Sequence, residues 1–124
     1  MTIKIGRALP IAVALATALA TIATRSQAQT TVRIGHFPNI THVQALVAHN
    51  MSRKGEGWFE RRLGPDVKIE WYVYNAGPSA IEAIFAKSID LTYVGPNPAI
   101  NAYVRSGGQE VRIVAGSVNG GSAL

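Results

Sequence analysis

One device recurs along this chain and limits what it can fold into: a short β-branched strand ends in a Gly/Pro/Asn turn that opens directly into a helix. Val67-Lys68-Ile69-Glu70-Trp71-Tyr72-Val73-Tyr74 is rich in β-branched and aromatic residues, with Val67, Ile69, Trp71 and Val73 on one face. Asn75-Ala76-Gly77-Pro78-Ser79 follows, and Ile81, Ile84 and Phe85 then mark one helical stripe. Pro78 suits the first helical position, where its missing N–H costs nothing. Gly77 suits a backbone conformation that bulkier residues avoid. The opening amides of such a helix have no intrahelical partners and carry partial positive charge. With the Ser79 hydroxyl beside them, they can hold a small anion without any formal cation. An ordinary capped helix after a strand is the plainer reading of one such loop.

Repetition is what favours the cradle. Leu91-Thr92-Tyr93-Val94 leads into Gly95-Pro96-Asn97-Pro98-Ala99-Ile100, with Asn97 as candidate N-cap and Pro98 at the first helical position. Val32-Arg33-Ile34-Gly35-His36 leads into Phe37-Pro38-Asn39-Ile40-Thr41-His42, with Asn39 or Thr41 as the cap. Val111-Arg112-Ile113-Val114-Ala115-Gly116 followed by Ser117-Val118-Asn119-Gly120-Gly121-Ser122 has the form of a fourth. All four loops would lie at the carboxyl ends of their strands, where open α/β sheets bind ligands.

The first 28 residues stand apart. Lys4 and Arg7 precede an apolar, alanine-rich run from Ala8 to Ala23, and polar residues then end at Ser26-Gln27-Ala28. This is the layout of a secretory signal peptide with a small-x-small cleavage site, so residues 1–28 are expected to be a signal. The run falls short of the ~20 apolar residues of a membrane span. With Lys4, Arg7 and Arg25 set aside, nine of the twelve Lys and Arg residues face seven acids, a net charge of only +2. The remaining cations are scattered, with no basic stripe interleaved with stacking aromatics, and no nucleic-acid partner is expected. An exported chain without cysteine must draw its stability from a large core instead of disulfides.

Past the signal, the pattern predicts strand Thr31–His36, a helix from about Thr41 to Asn50, strand Val67–Tyr74, helix Pro78–Lys87, strand Leu91–Val94, helix Pro98–Ser106 and strand Val111–Ala115. Gly107-Gly108 end the third helix as a left-handed cap requires. Gly55 to Glu60 reads as a loop packing Trp58 and Phe59 onto the sheet edge. The fold class is therefore α/β, a mostly parallel sheet flanked by helices. Because the chain stops where the fourth loop should begin a further element, residues 29–124 are expected to be a partial domain.

Most enzyme chemistries lack their residues here. There is no Gly-x-Ser-x-Gly elbow, no phosphate loop ending in Gly-Lys-Ser/Thr, and no third glycine to complete a dinucleotide fingerprint around Gly55-Glu56-Gly57. Glu82 and Asp90 fall at element ends, not on a shared catalytic face. His36, His42 and His49 invite a metal reading, but His42 and His49 are seven apart and no carboxylate lies close to any of them. No metal, cofactor or enzymatic activity is expected.

The segments Val32–His42, Asn75–Ala83, Tyr93–Tyr103 and Arg112–Gly116, in that order and spacing, resemble the periplasmic substrate-binding proteins of ABC transporters for aliphatic sulfonates, taurine and nitrate. The resemblance implies a type II periplasmic-binding-protein fold, of which 29–124 would be part of the first lobe, and a monomer that delivers its solute to an inner-membrane permease. It implies that a small anionic solute is held by Asn39, Thr41 and His42, by Gly77, Pro78 and Ser79, and by Gly95, Pro96 and Asn97. The second lobe of such proteins has no counterpart in this chain. Relatives of the family that synthesise a thiamin pyrimidine precursor supply the alternative, an enzyme on the same scaffold, against which the export signal argues.

Overall fold

The computed structural model describes residues 29–117, so the expected signal and most of the fourth loop lie outside the described residues. Strand β1 (Thr30–His36) leads through a single 3-10 turn (Ile40–His42) into helix α1 (Val43–Arg53) and a short helix α2 (Trp58–Leu63). Strand β2 (Val67–Val73) is followed by helix α3 (Gly77–Phe85), then strand β3 (Leu91–Thr92) and helix α4 (Pro96–Arg105).

The three strands form one parallel sheet in the order β2-β1-β3. β1 pairs with β2 along its whole length, from Thr30 opposite Val67 to His36 opposite Val73. With β3 it shares only Ile34 opposite Leu91 and Gly35 opposite Thr92. The chain thus steps from β1 to one side and returns across it to the other, and right-handed crossovers place the intervening helices on opposite faces. β1 shows both faces: His36 meets the rings of His49 and Trp71, while the space at Gly35 is bounded by Ile89, Tyr74 and Thr92.

A forked ion pair locks the β3 end of this arrangement. Arg33 donates from Nε to Asp90 Oδ2 at 3.0 Å and from Nη2 to Oδ1 at 2.8 Å, and the two backbones bond where Asp90 N donates to Arg33 O at 2.9 Å. Gly107 and Gly108, with φ of 57° and 76°, end α4 in the left-handed region as expected.

Several expectations fail. Trp58 and Phe59 lie in α2, not in a loop, with the two rings edge to face. Val111–Ala115 forms no strand, and Ile113 and Val114 are 83% and 78% exposed. A fourth strand needs a ladder for its N–H and C=O groups, and two-residue β3 presents too short an edge. Nor is the core large among the described residues. Its buried apolar residues are Ile34, Ala45, Ala80, Ile81, Ala83, Ile89 and Ala102, mostly small side chains. Beside them an apolar groove of about 560 Å³ runs between α1, α2 and Tyr93, lined by Val43, Val47, Met51, Trp58 and Phe59 among others. Among the described residues, no helix is long and apolar enough to cross a membrane.

Candidate functional site

Because the strands are parallel, the loops after β1, β2 and β3 share one edge of the sheet, and the chain reverses direction across β1 at that edge. Three helices of nine or more residues, α1, α3 and α4, start there. None carries an acidic residue in its first turn.

In the first loop, Asn39 is the cap. Its Oδ1 accepts from Thr41 N at 3.0 Å and from Thr41 Oγ1 at 2.9 Å, and its carbonyl accepts from His42 N at 2.9 Å. Asn39, Thr41 and His42 are therefore held together by one local network. His42, only 5% exposed, then caps α1 without any side-chain hydrogen bond of its own. Its Nδ1 is buried and unpartnered, in edge contact with the Phe37 ring at 4.2 Å. Burial, and then the neighbouring His36, push the His42 imidazole below its ordinary pKa, so at neutral pH it is an uncharged hydrogen-bonding group.

The second loop opens α3 one residue earlier than expected. Ala76 is the N-cap, Gly77 the first helical residue and Pro78 the second. The amides of Gly77 and Ser79 are left without intrahelical partners, with Pro78 contributing none. Ser79 Oγ donates to Ala76 O at 2.8 Å, so its proton is spent on the helix start. Gly77 is not in the left-handed region; what requires glycine there is space. A Cβ on it would sit 2.7 Å from Pro98 Cγ and 3.1 Å from Val94 Cγ2.

That approach joins the second and third loops. α4 begins at Pro96 with Gly95 as its N-cap, so Asn97 is not the cap and Pro98 is the third helical residue, not the first. The difference matters for the chemistry. Pro96 and Pro98 both lack an N–H, which leaves Asn97 as the one free amide before Ala99, whose N–H bonds Gly95 O at 3.3 Å. Gly95 is required neither by a positive φ nor by crowding, since its nearest neighbour to a Cβ would be Pro98 Cδ at 3.9 Å.

The structure thus brings Gly77 against Val94 and Pro98 at the start of α4, and gathers Asn39, Thr41 and His42 in a separate network at the same edge. Among the described residues, no hydrogen bond joins the two groups. No lysine or arginine lies in any of the three loops, so the edge offers amides, hydroxyls and neutral imidazole.

Spacing along the helix also missed a histidine contact. His36 Nε2 lies 2.8 Å from His49 Nδ1, with His49 stacked on Trp71. The pairing spans strand and helix and is invisible to a search for neighbours at helical intervals. Among the described residues, no group of three or more His, Asp or Glu side chains is placed to hold a metal ion.

No protein-family model matches this chain, and neither the curated proteins nor the solved structures contain a significant match to it.

Proposed function

We propose that this chain is the exported solute-binding component of an ABC importer, built on part of the first lobe of a type II periplasmic-binding-protein fold. It captures a small anionic solute, an aliphatic sulfonate, taurine or nitrate, at its strand-to-helix loops and presents it to an inner-membrane permease. One observation carries the reading: the three helices that start at the carboxyl edge of the sheet all lack acidic residues in their first turns. The short helix α2, which starts at the far end of α1, does have one, Glu60. Anions are favoured at helix starts by the unpaired amides and the dipole, and a carboxylate there would compete for the same donors.

The amides of Gly77, Ser79 and Asn97 are the donors for the anionic head, and His42 Nδ1 supplies a buried polar atom that still lacks a partner. A site of this composition favours a monoanion, because no formal cation is present to balance a second charge. Residues 1–28 direct export and are removed.

Calorimetric titration with taurine, ethanesulfonate, nitrate and sulfate, beside an uncharged alcohol of ethanesulfonate's size, tests the reading. Binding of one of the monoanions, with none of the alcohol, is expected. Equal binding of anion and alcohol, or of neither, overturns it. Expression from its own start in a bacterial host is expected to yield a periplasmic chain beginning at Gln29.

A further inference from the structure

We infer that His36 and His49 form a proton-operated staple that closes the loop Phe37–His42 and releases it when both imidazoles are charged. His36 is the last residue of β1, and His49, 13 positions later, lies in the second half of α1. Their ring nitrogens meet at 2.8 Å, so the pair ties strand end to helix and brackets the six-residue loop between them. The rings are not free to swing. His49 stacks on Trp71 with an interplanar angle of 8°, His36 stands edge-on to the same indole at 5.8 Å, and Phe59 of α2 leans on it at 6.2 Å.

The proton inventory decides what this contact can do. In the neutral pair one nitrogen carries a proton and the other a lone pair, giving one N–H···N bond. Adding one proton leaves that bond in place, since the charged ring donates to the neutral one. A second proton turns both facing nitrogens into donors. The bond is then replaced by repulsion at contact distance.

Apart from the backbone at Phe37, which favours a charged His36, the surroundings do nothing to ease double protonation. Along α1, Arg53 adds positive charge at His49, and His42 stands close to His36. On α2, Glu60 accepts from the Ser52 hydroxyl through Oε1, while its Oε2 is buried without a hydrogen-bond partner among the described residues. On β2, Glu70 is held by Lys68 and Tyr72, on the alternate side of the strand from Trp71. On β1, Arg33 is committed to Asp90. Tyr93, which borders the same groove as Phe59, has its pKa raised by burial and stays neutral. Burial depresses both imidazoles of the pair, which matches a contact made by uncharged rings at neutral pH.

The staple is independent of which solute binds, and its test uses none. Imidazole nitrogen and backbone amide signals of the full chain are followed by NMR from about pH 8 to about pH 4, either side of the ordinary histidine value of ~6.5. The pair is expected to titrate in two separated steps, with the Asn39 and Thr41 amide signals moving in the second, lower step. His49→Gln, which can still hydrogen-bond but cannot titrate, is expected to abolish that loop movement. A single ordinary step for both histidines, loop amides that ignore the lower step, or a loop movement undiminished in His49→Gln would each overturn the proposal. The wild-type titration decides alone if the variant does not fold.

Discussion

Replacing Gly77 with alanine places a methyl group in the contact between the starts of α3 and α4. The added carbon would stand 2.7 Å from Pro98 Cγ, 3.1 Å from Val94 Cγ2 and 3.3 Å from Pro98 Cβ. Two of these atoms belong to a proline ring that cannot rotate away, so the helices must part. Overpacking of this kind costs about 1–3 kcal/mol. Against it stands the gain of alanine over glycine in a helix, about 1 kcal/mol in the interior and less at the first position. The clash wins, and a net loss of about 1–2 kcal/mol is expected from the overpacking range after that offset. Urea unfolding followed by tryptophan fluorescence reads it directly. The sharper assay is a double-mutant cycle with Pro98→Ala, which removes the ring. The two substitutions are expected to couple by about 1 kcal/mol or more, with Gly77→Ala close to harmless once the ring is gone. Additivity within ~0.5 kcal/mol would show that the two helix starts do not touch and would refute the joined cradle.

Other outcomes follow from the same geometry. Ser79→Ala is expected to weaken monoanion binding by less than about 1 kcal/mol in calorimetry, because the hydroxyl must surrender its bond to Ala76 O at 2.8 Å before it can serve an anion. A loss of the ~1.5–3 kcal/mol typical of a bond to a charged group would place that proton on the solute instead. Asn39→Ala removes the acceptor for both Thr41 N and Thr41 Oγ1 and is expected to lower stability by about 1 kcal/mol in the same urea assay. Hydrogen bonds from Arg33 hold the Asp90 carboxyl below its usual value. Its contribution to stability is present above the unfolded carboxylate pKa of ~3.9 and fades as pH falls through the lower folded value. Asp90→Asn is therefore expected to flatten the acid limb of a stability-versus-pH curve below about pH 5, and an unchanged limb would mean the exposed pair contributes nothing.

The elements that proved legible are those whose signal is local. β1 and β2 announce themselves through Val32, Ile34, Val67 and Ile69, and the left-handed stop at Gly107-Gly108 is a backbone demand that few other residues meet. Helix starts were found but shifted by one or two residues at the Gly-Pro turns, because proline is tolerated at several first-turn positions and its fixed φ does not say which one. Val111–Val114 has the composition of a strand yet stays unpaired, since pairing depends on a neighbour and β3 supplies two residues. Trp58-Phe59 reads as a loop because six residues carry little periodicity, although Gly57 ahead of them and Glu60 within the first turn mark a helix start. At the candidate site, residue types and positions were readable, but not their engagement. The proton of Ser79 is committed to Ala76, Asn39 faces inward to Thr41, and two prolines strip α4 of amides. Gly77 reads from the sequence as a conformational requirement, whereas a neighbouring ring is what demands glycine there. The His36–His49 pair depends on how β1 and α1 lie together, which no spacing rule encodes.

The central claim is that small anions are held at the helix starts along the carboxyl edge of the sheet. Backbone amide NMR during titration with taurine, ethanesulfonate and nitrate tests it most directly. Saturable shifts centred on Gly77, Ser79 and Asn97 are expected, with the His42 ring responding alongside. Shifts confined to the exposed cations, such as Arg53, Lys54, Arg61 and Arg62, or no saturable shift with any of the three, would contradict it.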